Sequence, residues 1–316
     1  MNSTKASVNA KRPDLKAAWE RLRTEQGINS QRDGAAMLGV PEVVLQDASS
    51  GPSVIRLKPK FAELIQSARN FGRVLTLVRN DSFIAMPVGE FEEVSIKDSR
   101  GRAHGGPVDV SFDLTRWGTA YGLIDESKGA VRRSLYFFDD CGEAAMKVLV
   151  WSKDGEPAFN EVIERFRDDD PGDVVIRPRN DADWRSAEDF AGGRSTKSGA
   201  PKRALDLLQT VVDREINVDL RIPTRAAEER YVGPIRSLRA RETEGWYDVT
   251  YPHFNTHLGT LDIARCALKS DGTSGTPLVG FIDARDRVIC RLTVAPDANA
   301  QAKAAWAKAV EQAFAD

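Results

Sequence analysis

The strongest constraint on what this chain can fold into is that it repeats itself. A single shift of 144 residues carries Gly89 onto Gly233, and the same shift pairs Phe91 with Ile235, Leu114 with Leu258, Trp117 with Leu261, Ile124 with Leu268, Phe137 with Phe281, Asp139 with Asp283, Lys147 with Arg291 and Val150 with Val294. Scattered apolar matches arise by chance. A shared order of glycine turn, alternating strands, acidic turn (FFDDCG against FIDARD) and closing helix at one offset marks two copies of one unit. A chain of 316 residues has room for two such units of ordinary domain size.

Within the copies, Val74–Val78, Ser134–Phe138, Ile216–Leu220 and Pro277–Ile282 are short, rich in β-branched and aromatic residues, and bounded by turn formers, so they read as strands. Asn80-Asp81, Asp140–Gly142 and Ser270–Gly275 carry hairpin-turn chemistry and predict antiparallel neighbours. Apolar residues recur at helical spacing in Pro157–Phe166 and Gln301–Phe314, and further helices precede the strands near Phe61–Ala68 and Arg203–Arg214. The expected class is α+β: an internal duplication of two antiparallel sheet units with helices packed on them, plus an N-terminal helical segment. The expected organisation is a helical segment at 1–50, a first repeat at 54–167, a linker of balanced charge at 168–203 and a second repeat at 204–316.

Composition narrows the function by exclusion. With 45 Lys+Arg against 47 Asp+Glu, the net charge of −2 gives no general attraction to nucleic acid or to an anionic membrane surface. Three cysteines, Cys141, Cys266 and Cys290, never in a CxxC pair, disfavour a disulfide framework or a thiolate zinc site and point to a reducing cytoplasm. No apolar run is long enough for membrane insertion, and the polar start has no signal-peptide core. RDGAAMLGVPEVVL resembles a helix-turn-helix, yet from Pro41 to Asp47 it offers Glu42 and Asp47 and no basic residue, which argues against a DNA partner. The motifs of zinc proteases, α/β-hydrolases, P-loop enzymes and dinucleotide folds are missing. His253 and His257, four apart, sit in a strand-like string rather than on a metal-binding helix.

Several strings resemble the bacterial haem-utilisation family HemS/ChuS, the hemin-degrading or cytoplasmic haem-trafficking proteins. They are RDGAAMLGV, RNDSFIAMPVGEF, SLYFFDDCGEAAMKV, DWRSAEDF and GWYDVTYPHFNTHL, the last with Trp246, Pro252, Phe254 and His257. The resemblance implies a duplicated antiparallel scaffold and haem, or a related tetrapyrrole, as ligand. It also marks departures. The family's axial histidine, six residues after the WR string, falls on Ala191; its distal arginine falls on Ser111; a third histidine falls on Ala85. The strand VICRLTVAP lacks the family's Tyr/Phe-Gly-x-Arg character. Lys269, matching a propionate-contacting lysine, and His257 remain.

Haem needs a donor for iron and cations for its two propionates. Replacement donors are His104, in the glycine-rich string RGRAHGG read as a solvated loop with Arg100 and Arg102, and Tyr247 and Tyr251, read as strand residues with surface hydroxyls. Arg185 and Arg116 are further candidate anion contacts. Three functions follow: a cytoplasmic haem-binding or trafficking protein with a reductase or haem oxygenase as partner; a haem-degrading enzyme; or a divergent homologue that has lost haem and binds another planar or anionic ligand, or a protein.

Overall fold

The structure is a computed structural model that describes residues 12–126, 129–180, 184, 187–252, 254–270 and 275–315. The chain begins with helices α1 (Arg12–Gln26), α2 (Gln31–Leu38) and α3 (Glu42–Ala48), then β1 (Val54–Leu57) and α4 (Phe61–Ser67). Strands β2 (Arg73–Arg79), β3 (Phe83–Ala85), β4 (Val88–Glu90), β5 (Glu93–Lys97), β6 (Arg100–Gly105) and β7 (Val108–Asp113) follow. The first copy closes with β8 (Trp117–Asp125), β9 (Arg132–Asp139), β10 (Ala144–Val150) and α5 (Glu156–Phe166). After β11 (Arg194–Thr196) and α6 (Ala200–Asp213) come β12 (Asn217–Pro223), β13 (Ala227–Pro234), β14 (Ser237–Ala240), β15 (Trp246–Thr250) and β16 (Asn255–Gly259). The chain ends with β17 (Arg265–Ser270), β18 (Pro277–Ile282), β19 (Val288–Val294) and α7 (Ala300–Ala313). Two compact units result: Met1–Leu75, Glu90–Arg102 and Phe112–Arg179 form the first, and Thr76–Gly89, Ala103–Ser111 and Asn180–Asp316 the second. No described helix is long and apolar enough to cross a membrane.

In the first unit, β1, β8, β9 and β10 are neighbours in an antiparallel sheet. One face packs on α5, where Gly122 leaves room for Ile163: a Cβ there would come within 2.0 Å of its side chain. The other face carries Tyr121, Tyr136 and Phe138, and α3 closes it through Val43. Tyr136 donates to Glu42 Oε1 at 2.6 Å and Tyr121 to Asp47 Oδ1 at 2.9 Å. Ser30 caps α2, accepting from the Asp33 N–H, and left-handed Gly39 ends it before α3. The order of helix, left-handed glycine and second helix matches the outline of a helix-turn-helix, but Glu42 and Asp47 of the second helix are buried against tyrosines, so this side of it faces the protein.

In the second unit, β11, β17, β18, β19, β12, β13, β7 and β6 are successive neighbours in one sheet, and β3, β16, β15 and β14 in another. Along β12, Val218, Leu220 and Ile222 share the core with Leu207, Leu208 and Val211 of α6 and Trp306 and Val310 of α7. Strand alternation therefore turns Asp219 and Arg221 to the opposite face. The string 168–203, read as linker, contributes β11 at the edge of this sheet, where it pairs with β17.

The duplication is visible residue by residue. Phe137 pairs with Met146 and Phe138 with Ala144, around a bulge; Phe281 pairs with Cys290 and Ile282 with Val288, around the same bulge. Both acidic turns are built alike. Asp139 Oδ1 accepts from the N–H groups of Cys141 and Glu143, and Asp283 Oδ1 from those of Arg285 and Arg287. The preceding strand is slid. Ala120 stands opposite Phe137, whereas Cys266 stands opposite Phe281, two residues beyond its place in a uniform shift. A slip of two keeps every side chain on its face, so the hydrophobic pattern conceals it.

Candidate functional site

The face of the second unit's sheet turned away from α6 and α7 is built from charge. Arg221 of β12 stands opposite Arg230 of β13 on one side and Arg291 of β19 on the other. Three guanidinium groups on adjacent strands would repel one another without acids between them. Asp219 accepts from Arg230 Nε at 3.0 Å and Nη2 at 2.8 Å, and from Arg221 at 3.3 Å. Burial alone would raise the Asp219 carboxyl; the hydrogen bonds from Arg230 and Arg221 outweigh it and hold the group below its ordinary value. Arg291 bonds Glu228 and, at 2.8 Å, Asp189. Arg230 also lies 3.7 Å from Asp109 of β7.

Over the β17–β18 side of this face lies a short 3₁₀ turn, Ala187–Phe190. Ala187 and Phe190 pack on Ala267, Ile282 and Val288. Gly280 makes that docking possible, since a Cβ there would come within 2.4 Å of the Phe190 ring. Lys269 of β17 donates to the Asp189 carbonyl at 3.0 Å. Toward α7 the face opens into a pocket of about 550 Å³, walled by Asp219, Arg221, Arg230, Arg291, Thr293 and Lys303 among others. Arg291 Nε is buried in this wall without a hydrogen-bond partner. A buried donor left unmatched in a cationic pocket is a place for a ligand acceptor.

The sequence-derived candidates distribute unevenly over this geometry. Lys269 lies at the roofed end, and Ala191 follows the 3₁₀ turn, exposed, its N–H donating to the Glu188 carbonyl. Ser111 is on β7 with Asp109, and alternation gives both the same face. His104 is half-buried within strand β6, not in a loop: the glycines that suggest a loop are accommodated because Gly101 packs against Phe112 and Gly105 against Gly89. His257 belongs to β16 of the other sheet, Nδ1 2.8 Å from Asp248 Oδ1, which also accepts from Arg241 at 2.7 Å. Desolvation alone would raise the Asp248 carboxyl; the contacts with Arg241 and His257 together outweigh it and hold the group below its ordinary value. Tyr251 does not present its hydroxyl to solvent. Its ring is buried, stacked on Phe254 and edge-on to Tyr231, and burial pushes the phenol upward. Tyr247 is half-buried on β15, and Ala85 is buried in the core on β3. Arg100, Arg102 and Arg116 belong to the first unit, Arg100 exposed 3.8 Å from Asp113 and Arg102 exposed; Arg185 and His253 lie outside the described residues. Asp219, Arg221, Glu228, Arg230, Lys303 and the site role of Arg291 escaped the sequence reading. The signal for two of them was present in NVDLRIP, where charges alternate with apolar residues.

Comparison with known proteins finds a shared domain and a shared fold. The haemin-degrading HemS.ChuX domain matches residues 39–166. The hemin transport protein HemS of Yersinia enterocolitica is 25% identical over 268 residues, 74% of this chain and 77% of that one. Residues 39–166 thus carry the HemS.ChuX domain, and the chain as a whole resembles HemS. The heme degrading enzyme ChuS of Escherichia coli O157:H7 superposes with a TM-score of 0.85 at 18% identity, covering 95% of this chain and 99% of ChuS. Holo-PhuS, a heme-binding protein from Pseudomonas aeruginosa, gives 0.80 at 22% identity, covering 94% and 98%. These two likenesses concern the HemS/ChuS fold. Against haem itself, the residues present fit the carboxylates: the pocket is cationic and Arg291 Nε lacks an acceptor. Ala191, where the sequence resemblance would put an axial histidine, carries only a methyl group.

Proposed function

We propose that this protein binds haem as cargo in haem-iron utilisation, holding the propionates against the Arg221–Arg230–Arg291 face of the second unit, with Lys269 as an outlying cation. The observation that carries the proposal is the buried, unmatched Arg291 Nε in a 550 Å³ cationic pocket on a HemS/ChuS scaffold. Guanidinium groups bind carboxylates through paired N–H donors, and partial burial strengthens such bonds. Asp219, Glu228 and Asp189 keep the arginines preorganised, so a ligand carboxylate meets donors already in place. Bound haem supplies the iron chemistry; the chain supplies recognition and shields one face of the macrocycle. The same proposal places the protein in the cytoplasm, passing haem to a haem oxygenase or working with a reductase.

Titration of the purified protein with hemin tests this. A Soret band saturating at one equivalent is expected, with affinity weakened by salt and by the dimethyl ester of haem. Under NADPH-driven reduction or ascorbate, a stable band supports trafficking and a bleaching band supports breakdown. A chain that gives no saturable band has lost haem, and the pocket then serves another anionic ligand.

A further inference from the structure

Resting on the haem-binding reading, we infer that His104 is the protein donor to the haem iron in this chain. Iron in haem takes an imidazole, thiolate, thioether or phenolate from the protein. On the charged face of the second unit the positions at 191 and 111 carry a methyl and a hydroxymethyl group. Among the described residues of the unit, the cysteines, the tyrosines and the other histidine lie away from this face. Cys266 and Cys290 lie in the core under α6 and α7, and burial pushes their thiols up, Cys266 to about 12. Tyr231 donates to the Pro234 carbonyl at 3.0 Å within the aromatic cluster of Tyr251 and Phe254. His257 and Tyr247 belong to the other sheet, His257 held by Asp248 and Arg241.

His104 is on the charged face. Strands β6 and β7 are sheet neighbours joined by the two-residue turn Gly106-Pro107, with Gly106 at φ +59°. A hairpin with a two-residue turn sets residue 104 across from residue 109, on the same side of the sheet. Burial alternates accordingly: Ala103, Gly105, Val108 and Val110 are buried, while His104 and Asp109 are half-buried. Asp109 is the residue that pairs with Arg230, so one face runs from the imidazole through a carboxylate to the arginines of the pocket. A carboxylate beside a metal-binding imidazole fixes the ring and raises its basicity, which suits Asp109 as the orienting partner.

The experiment is a hemin titration of wild type, His104→Ala, His104→Gln and His257→Ala, read by the Soret position and the ferric EPR spectrum. Far-UV circular dichroism and thermal midpoints confirm that each variant is folded. Wild type is expected to show an imidazole-ligated spectrum. Both His104 variants should lose that signature and bind hemin roughly tenfold to a hundredfold more weakly, and free imidazole should restore the spectrum of His104→Ala. His257→Ala should match wild type. A saturable wild-type band with the same spectrum in His104→Ala overturns the inference and leaves haem binding standing, as does loss of the signature in His257→Ala alone. A wild type with no saturable band removes both.

Discussion

The two copies place the same strands in opposite surroundings. On β9 and β10, Tyr136 stands across from Lys147, whose ammonium lies 5.2 Å from the tyrosine ring, and α3 closes the face with Val43 and Glu42. At the matching places on β18 and β19, Gly280 stands across from Arg291. A large aromatic and a flexible amine leave a face that α3 seals, its acids held by tyrosine hydroxyls. A glycine and a guanidinium instead admit the Phe190 ring on one side and leave Arg291 to bond Glu228 and Asp189 around a pocket. Duplication thus produced one copy whose second face is spent on stability and one whose second face is available to a ligand.

The largest test of that contrast is Tyr136→Ala. It removes a buried ring and leaves Glu42 without its tyrosine, so a loss of about 3–5 kcal/mol is expected from urea unfolding. Hemin affinity of the folded fraction should stay at the wild-type value; a parallel loss of affinity would show that the sealed face is not purely structural. Next comes Gly280→Ala. The new methyl meets the Phe190 ring, and lifting the 3₁₀ turn should cost about 1–3 kcal/mol and weaken hemin binding together. Loss of stability without loss of affinity would detach the turn from the site. Then the cross-strand partners can be compared directly. Arg291→Gln should weaken hemin binding about tenfold, equivalent to ~1.4 kcal/mol, while Lys147→Gln should leave it unchanged. Equal effects would erase the distinction between the two faces.

What could be read from the chain follows the same division. Strand β18 and helix α5 were legible almost to the residue, because their apolar spacing is set by a core on one side and turn residues at both ends. The duplication was legible at β9, β10, β18 and β19, where Phe137, Asp139, Phe281 and Asp283 recur, but not the two-residue slip of β17, which period-two alternation hides. The string RGRAHGG read as a loop, since a strand tolerates so many glycines only where neighbours such as Phe112 fill the space above them. Tyr251 read as a surface residue because strand alternation was extended past Thr250, where β15 ends and the chain turns inward toward Phe254. The site was legible in its losses, Ala191 and Ser111, and in Lys269. Its arginines were not, because Arg221 and Arg230 meet only through the register of the β12–β13 hairpin, and Arg291 joins them from β19, far along the chain.

The finest contrast between a sealed face and a charged one lies within a single strand. Glu228 and Glu229 are consecutive on β13, so alternation sends them to opposite sides of the sheet. Glu228 meets Arg291. Glu229 is buried, its Oε2 accepting from the Thr76 hydroxyl at 3.2 Å and its Oε1 from the Asp109 N–H at 3.1 Å. Burial raises the Glu229 carboxyl well above its ordinary value, outweighing both hydrogen bonds. The folded protein therefore keeps a proton that the unfolded chain releases near the ordinary value of 4.5. From there up to the raised folded value, this residue makes stability fall as pH rises, by at most ~1.4 kcal/mol per pH unit. Glu229→Gln keeps an acceptor for the Asp109 N–H and, with the Thr76 hydroxyl rotated to accept from the new amide N–H, a bond to Thr76, while removing the titration. Near pH 5 its thermal midpoint should lie close to that of wild type, because a protonated carboxyl and an amide are near equivalents. Toward pH 8 the variant should become the more stable of the two, the gap widening until the wild-type carboxyl ionises. Parallel pH profiles for the two proteins would mean that Glu229 is ionised in the fold, and that the side of β13 facing Thr76 is as receptive to charge as the side facing Arg291.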